Sequence, residues 1–570
     1  MKKLTYFLLC SFIVLWGTIG HAELKTKWSF GTEATWVPRG LDLNTDGDNQ
    51  IATRGDTSNT IGSNAGDGYS FFSTLLGADV EWIATQNTSV VADIRAQFDW
   101  HGSNSTVFPN QTSLPGQAGT YQNTGSTTAL AFGFKQLFLG FKDFLDFPID
   151  LSVGRQNIKL GRGFVVSRWS VGAGPTPYAN GIGPSGSSLT AGAGQDGQTR
   201  AANAGNLPLN AVSASALYAP ERNAFDAFDA VRAKVHFNKL HFDLGYALIA
   251  GAFSESANYV TTGGTAATSD RGIATRDSEY LLWFNGGYNW TKELLTEAYF
   301  VANFDEEPTS DRNTSSLGMD IFRDKVYTTG ARADWVAGEF GMFKNVNPYI
   351  EAAVQLGQLG GDSFNANRRK RQAYATNLGA DFTLSSSSKW VPSTWTFETF
   401  FFSGEQPGGL ETDDRGATPS HAVAADNKWN SWDWQFTGVE YALIMPYLDI
   451  FHLTDTLGSD TQAGATLSAG KVDAGLTNRW VLRTKANFDL TKKWNLGLNL
   501  AYAQAVQPPS PGQSKVLGAE FDWGLGYKLS SATTALFDGG LFLPGTYYKR
   551  QPTNRTSAYM LRLGFKVDLG

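Results

Sequence analysis

From Ser89 to Trp100 the chain reads SVVADIRAQFDW. Laid out as a strand, it places Val90, Ala92, Ile94, Ala96, Phe98 and Trp100 on one face and Ser89, Val91, Asp93, Arg95, Gln97 and Asp99 on the other. An apolar face backed by a charged one suits a soluble sandwich, with water on the polar side. It equally suits a membrane barrel, with lipid on the apolar side and a wet lumen on the other. One strand cannot choose between them, but the rhythm of the connections can.

Strand-like segments recur near 28–36, 70–84, 89–100, 129–142, 149–159, 226–237, 240–250, 278–290, 294–304, 325–336, 348–358, 371–384, 394–403, 476–490, 494–503, 516–529, 533–543 and 557–569. Short links such as Gln86-Asn87, Asn238-Lys239, Thr291-Lys292 and Thr491-Lys492 take turns with long ones at 37–69, 101–128, 160–225, 251–277, 304–324 and 404–475. A soluble meander has no reason to gather its short turns at one end, whereas an outer-membrane barrel has short periplasmic turns and long outer loops. The pattern predicts an all-β, antiparallel, up-and-down transmembrane barrel of about 18 strands, with 16–20 allowed. The Trp-rich stretch within 404–475 offers a further hairpin, which would give twenty, and 337–347 is long for a periplasmic turn. Trp28, Trp36, Trp82, Trp100, Trp290 and Trp494 fall near strand ends, where interfacial girdles lie.

The start of the chain bears on its compartment. Lys2 and Lys3 precede an apolar run from Leu4 to Ile19 and then Gly20-His21-Ala22, which reads as a signal peptide over 1–22 and a mature barrel over 23–570. Cys10 lies in that leader, so the mature chain has no cysteine for disulfides, thiolate metal sites or nucleophiles. Without Lys2 and Lys3, 44 basic residues face 53 acidic ones and the formal charge moves from −7 to −9. This argues against a nucleic-acid partner. Beyond the leader no segment has the roughly 18 consecutive apolar residues of a membrane helix, and mean hydropathy is −0.24. The 62 glycines and 13% aromatics are spread along the chain without an obvious linker.

At 151–162 the sequence is LSVGRQNIKLGR, and at 222–237 it is RNAFDAFDAVRAKVHF. Gly154, Arg155 and Gln156, followed by Arg222, Phe228, Asp229, Val231 and Arg232, resemble the alginate export family of outer-membrane porins. The resemblance implies a monomeric barrel with an electropositive lumen that passes anionic solutes or polysaccharide passively. It makes Arg155 and Asp229 pore-lining candidates. Arg155 shares pleat parity with Leu151 and Val153, so its pore role requires a bulge near Gly154. The chain departs from many such proteins in ending Asp568-Leu569-Gly570 rather than on an aromatic residue.

Counted by parity alone, the inward basic candidates are Arg95, Lys135, Arg232, Lys234, Arg332, Arg483, Lys485, Arg562 and Lys566. They face Asp93, Asp99, Asp334, Glu351, Glu520, Asp522 and Asp568. A wall slightly positive within a negative protein suits anions; alternatively, the inward charges pair with one another and simply keep the lumen wet. The run Arg368 to Arg371 falls at an outward tip, where it is either a solvated basic tip or a contact for lipopolysaccharide phosphates or an acidic polymer.

Candidate metal chemistry is thin. His236 and His241 flank the turn Asn238-Lys239 and fall opposite each other, with Asp243 as a third donor, but such pairs usually lack the remaining ligands. Asp42, Asn44, Asp46 and Asp48 around Gly47 have the oxygen spacing of a calcium loop, although position twelve is Thr53. Calcium is the only cofactor the sequence suggests. The Arg54-Gly55-Asp56 tripeptide, the glycine pattern at 181–186 and the run 464–471 lack the context that would give them meaning. Three function classes stay open: a passive channel, an enzyme barrel, and a sleeve around an electron-carrying cytochrome. The absence of a clustered nucleophile and base favours the channel. The outer-membrane lipid and its lipopolysaccharide are the expected surroundings, and a periplasmic partner is left open.

Overall fold

The computed structural model describes residues 23–39, 69–101, 128–167, 227–250, 279–305, 324–359, 369–385, 390–404, 428–430, 478–508, 514–546 and 557–569, with isolated positions between 432 and 445. The strands are β1 (Glu23–Arg39), β2 (Tyr69–Thr85), β3 (Thr88–His101), β4 (Thr128–Phe141), β5 (Ile149–Gln156), β6 (Phe228–Phe237), β7 (Leu240–Ala250), β8 (Glu279–Asn289), β9 (Leu294–Asp305) and β10 (Asp324–Trp335). They continue as β11 (Phe343–Leu359), β12 (Arg369–Leu384), β13 (Thr394–Phe402), β14 (Lys428–Trp429), β15 (Arg479–Asp489), β16 (Trp494–Ala505), β17 (Val516–Lys528), β18 (Thr533–Pro544) and β19 (Ala558–Leu569).

Each long strand pairs antiparallel with its sequence neighbours, and β1 pairs with both β2 and β19. The sheet therefore closes on itself and leaves no edge running along the barrel. Eighteen strands form the ring. The two-residue β14 lies parallel to the start of β12 and takes no place in it, because β13 pairs directly with β15. Among the described residues the extra hairpin allowed for in 404–475 is absent. The long turn resolves as 336–342, closed by a bridge between Phe340 and Phe343.

The alternation that predicted the strands also sets the two surfaces. Val231, Leu244, Phe284, Phe300, Ile350, Val354, Leu378, Leu500 and Leu563 are large, apolar and exposed on the outside. The alternate positions face inward and carry the charged and small residues. Ring pairs occur towards both ends of the wall, as at Trp494–Tyr527 (4.4 Å) and Tyr288–Trp290 (4.8 Å) by short turns and Tyr280–Phe304 (5.0 Å) beside a long link. No helix among the described residues is long and apolar enough to cross a membrane.

The bore is not empty. Residues 157–167, directly after β5, turn inward instead of continuing the wall. Ile158, Leu160, Phe164 and Val166 of this strap are fully buried against inward residues of distant strands, Trp283, Tyr299, Val301, Ala353, Ala373, Phe400 and Phe402 among them. A second inward segment contributes Trp432, Tyr441 and Met445. The two meet where Phe164 lies 5.3 Å from Phe402 and 6.4 Å from Trp432, centroid to centroid.

Candidate functional site

Antiparallel register places charged side chains of neighbouring strands directly opposite one another, so the inner wall pairs its own charges. Arg483 faces Glu398 across β15 and β13 and bonds to it at 2.6 Å. Arg562 faces Asp538 across β19 and β18 at 3.5 Å. Arg332 is flanked by Glu297 on β9 and Glu351 on β11; it bonds to Glu297 at 3.1 Å and to Asp334 two residues on. Arg95 lies over Gly77, where a Cβ would collide with its guanidinium, and bonds to Asp93, to Asp79 at 2.8 Å and to Ser29 at 3.0 Å.

Arg232 is inward, as its parity predicts. Its Nε donates to Asp243 Oδ1 at 2.9 Å, its Nη2 also bonds to that carboxylate, and its Nη1 donates to the Asn157 carbonyl at 3.1 Å. Trp283 Nε1 donates to the same carboxylate at 3.0 Å. The arginine is therefore an anchor for both the wall and the strap rather than an open charge. Of the expected basic lining, Lys234 and Lys485 behave differently. Lys234 sits opposite Asp150 and Asp243, but these are engaged with His236 and Arg232 respectively. Lys485 is an exposed inward residue two positions beyond Arg483.

Several expectations are corrected. The ladder of β5 with β4 and β6 runs without a register shift, although Gly154 has φ +127. With no bulge, Arg155 stays in the rows of Leu137 and Val153, both exposed on the outside. Its partner Asp229, 3.4 Å away, shares the outward face of Val231. Neither lines the bore. The bulge lies instead in β4, where Lys135 is skipped between the pairs Asp93–Gln136 and Ile94–Phe134. Arg371 is not on a solvated tip but buried on the inward row of β12, beside Ala373 and Ala375. His236 and His241 are opposite each other as expected, yet His236 points to Asp150 (3.7 Å) and His241 to Glu297 (3.1 Å), while Asp243 serves Arg232. These side chains diverge, and no cluster of three or more metal-ligating side chains occurs among the described residues. The calcium-like loop with Asp42, Asn44, Asp46 and Asp48, residues 54–56, 181–186 and 464–471, the leader 1–22 and the side chain of Asp99 lie outside the described residues.

The structure also brings forward residues that parity counting passed over. Glu297, Asp381 and Glu398 sit on inward rows of strands that had been located, and Asp79 and Asp538 complete ion pairs. Their alternation with outward Phe300, Leu378 and Phe397 was the available signal. Arg162 had no such signal, because it lies in the strap, where there is no pleat. Its Nη1 donates to Asp334 at 3.1 Å and its Nη2 to Asp381, and its guanidinium stands 3.5 Å from the ring centroid of Tyr349. Behind it, Glu351 accepts a hydrogen bond from Tyr299 at 2.9 Å, and Tyr349 donates to Glu398 at 2.8 Å. These residues lie on β9 to β13, four to eight strands round the ring from β5, so the strap crosses the bore.

The second segment is held in the same manner. Met445 N donates to Glu520 at 2.6 Å, Asn499 to the Tyr441 carbonyl at 3.0 Å, and Arg479 to the Tyr441 hydroxyl at 2.6 Å.

No protein-family model matches this chain, and no curated protein is detectably similar in sequence. Solved structures of similar shape include Acinetobacter baumannii OccAB1 (8% identity, 96% of this chain and 97% of that one, TM-score 0.46). A. baumannii OccAB4 (12%, 96% and 98%, 0.43) and the Pseudomonas aeruginosa outer membrane protein OprD (8%, 95% and 94%, 0.44) are two more. At these identities and scores the likeness is one of architecture alone.

Proposed function

We propose that the chain is a passive channel of the bacterial outer membrane, a monomeric porin for small hydrophilic solutes. The observation that carries this reading is the reversal of polarity across one closed wall: large apolar side chains are exposed outside, while charged residues form paired rows inside. Such a surface is stable only with hydrocarbon outside and water within. Inward arginines matched to carboxylates give a polar lining with little excess charge, and anions are favoured by Lys234 and Lys485 rather than by the arginines. Passage of a polysaccharide, the finer reading that the family resemblance suggests, requires the two inward segments to move aside. The same filled interior argues against a sleeve around a cytochrome. Purified protein in a planar bilayer is expected to give stepwise, voltage-independent openings of small conductance. A preparation that inserts and never conducts overturns the proposal.

A further inference from the structure

The structure assigns a guanidinium-binding site to the inner wall of β10 to β12, and we propose that Arg162 fills it as an exchangeable latch, so that free guanidinium-bearing solutes compete with it and release the strap. Planar guanidinium recognition needs acceptors spread in the plane of the fork and a ring face to stack on. Asp334 and Asp381 accept from the two terminal nitrogens and Tyr349 supplies the face.

The supporting shell is prebuilt from the wall itself. Tyr349 is held by Glu398, and Glu351, fully buried, is held by Tyr299 and reached by the strap's Arg162 N–H at 3.5 Å. Across β9 to β13 the inward carboxylates are Glu297, Asp334, Glu351, Asp381 and Glu398, whereas the wall's inward arginines there are Arg332 and Arg371, with Arg483 reaching Glu398 from β15. Acid is in excess until the strap brings its cation.

Two features make the occupant replaceable. The Arg162 and Asp381 side chains keep 30% and 31% of their surface accessible, so a solute in the bore can reach them. The strap is also closed on itself by only two backbone bonds, Leu160 N–H to Val166 O and Gly163 N–H to Leu160 O, both 2.9 Å. Its remaining hold on this side of the barrel is the apolar packing of Ile158, Leu160, Phe164 and Val166 and the long Arg162 N–H contact to Glu351.

The latch builds on the channel reading, but it can be tested without conduction. Amide hydrogen exchange of the strap peptide, residues 157–167, is measured on full-length protein in detergent. One condition contains about 20 mM guanidinium chloride, far below the molar range in which denaturants unfold proteins, and the control contains equal tetramethylammonium chloride, which lacks the planar donor fork. We expect guanidinium to accelerate exchange in the strap roughly tenfold, the scale of one lost charged hydrogen bond, with the β10 to β12 peptides unchanged. In Arg162→Ala the fast exchange should already be present and insensitive to guanidinium, and Arg162→Lys, which keeps charge but not the fork, should fall between. If wild-type exchange is the same in both salts, or if Arg162→Ala leaves the strap fully protected, the latch is overturned. Should Arg162→Ala fail to fold, the wild-type comparison alone decides. In bilayers the same additions should raise wild-type conductance and leave Arg162→Ala unaffected. A protein that never conducts removes the channel reading and leaves the exchange result standing.

Discussion

Arg232 shows how the environment of one side chain redirects its role. By pleat parity it faces the lumen, and taken alone it reads as a selectivity charge. In the structure its guanidinium and the Asp243 carboxylate each keep only 11% of their surface accessible, and Trp283 donates to the same carboxylate. Replacing it with Glu sets two carboxylates together in a partly dry site, and breaking a buried pair costs about 3–5 kcal/mol. Arg232→Glu is therefore expected to lower the temperature at which the folded band is lost in heat-modifiability gels, and a change confined to ion preference would contradict this. The selectivity effect belongs to Lys485, which is exposed in the bore: Lys485→Glu should shift the reversal potential in a salt gradient away from anions while leaving heat-modifiability intact. Gly161 is a third case. At φ +56 with Glu351 Oε1 3.0 Å from where a Cβ would stand, Gly161→Val meets both backbone strain and a buried carboxylate. The backbone part alone costs roughly 1–2 kcal/mol, so this variant should loosen the strap, read as faster exchange over 157–167.

For the elements, alternation did nearly all the work. A period of two fixes which residues of a strand meet hydrocarbon, and a slip of one residue would exchange the two faces, so register is strongly specified. Leu500 on β16, half exposed on the outside, measures the strength of that constraint. Leu500→Arg should destabilise the barrel by about 2–4 kcal/mol, the cost of a cation on the lipid face near the midplane, as judged by reversible unfolding in detergent or lipid. The strands and short turns were legible in the sequence for this reason. The limit was reached at β5. Its pattern runs on through Asn157 and Ile158, and the sequence reading extended the strand to 159, whereas the structure ends it at Gln156 and sends the next eleven residues across the bore. Ile158, Leu160 and Phe164 look locally like more of an apolar face; the face they pack against is assembled from strands more than a hundred residues away.

For the whole molecule, closure of the ring and filling of its interior have different origins in the chain. The sequence by itself determined the barrel: alternating faces and short and long links taking turns together allow few other folds. It also determined which of the wall's titratable side chains point inward, save where one was expected from a motif, as at Arg155. What only the tertiary structure decided is the balance of charge and the width of the passage. Whether Arg332 is an open cation or a paired one depends on Glu297, which the ring places opposite it. Whether the bore is open depends on Arg162 finding Asp334, Asp381 and Tyr349 on strands that are remote in sequence. The physical reason is that strand patterning is a local, periodic property written residue by residue, whereas ion pairing and the path of a non-periodic strap depend on contacts that exist only once the sheet has closed.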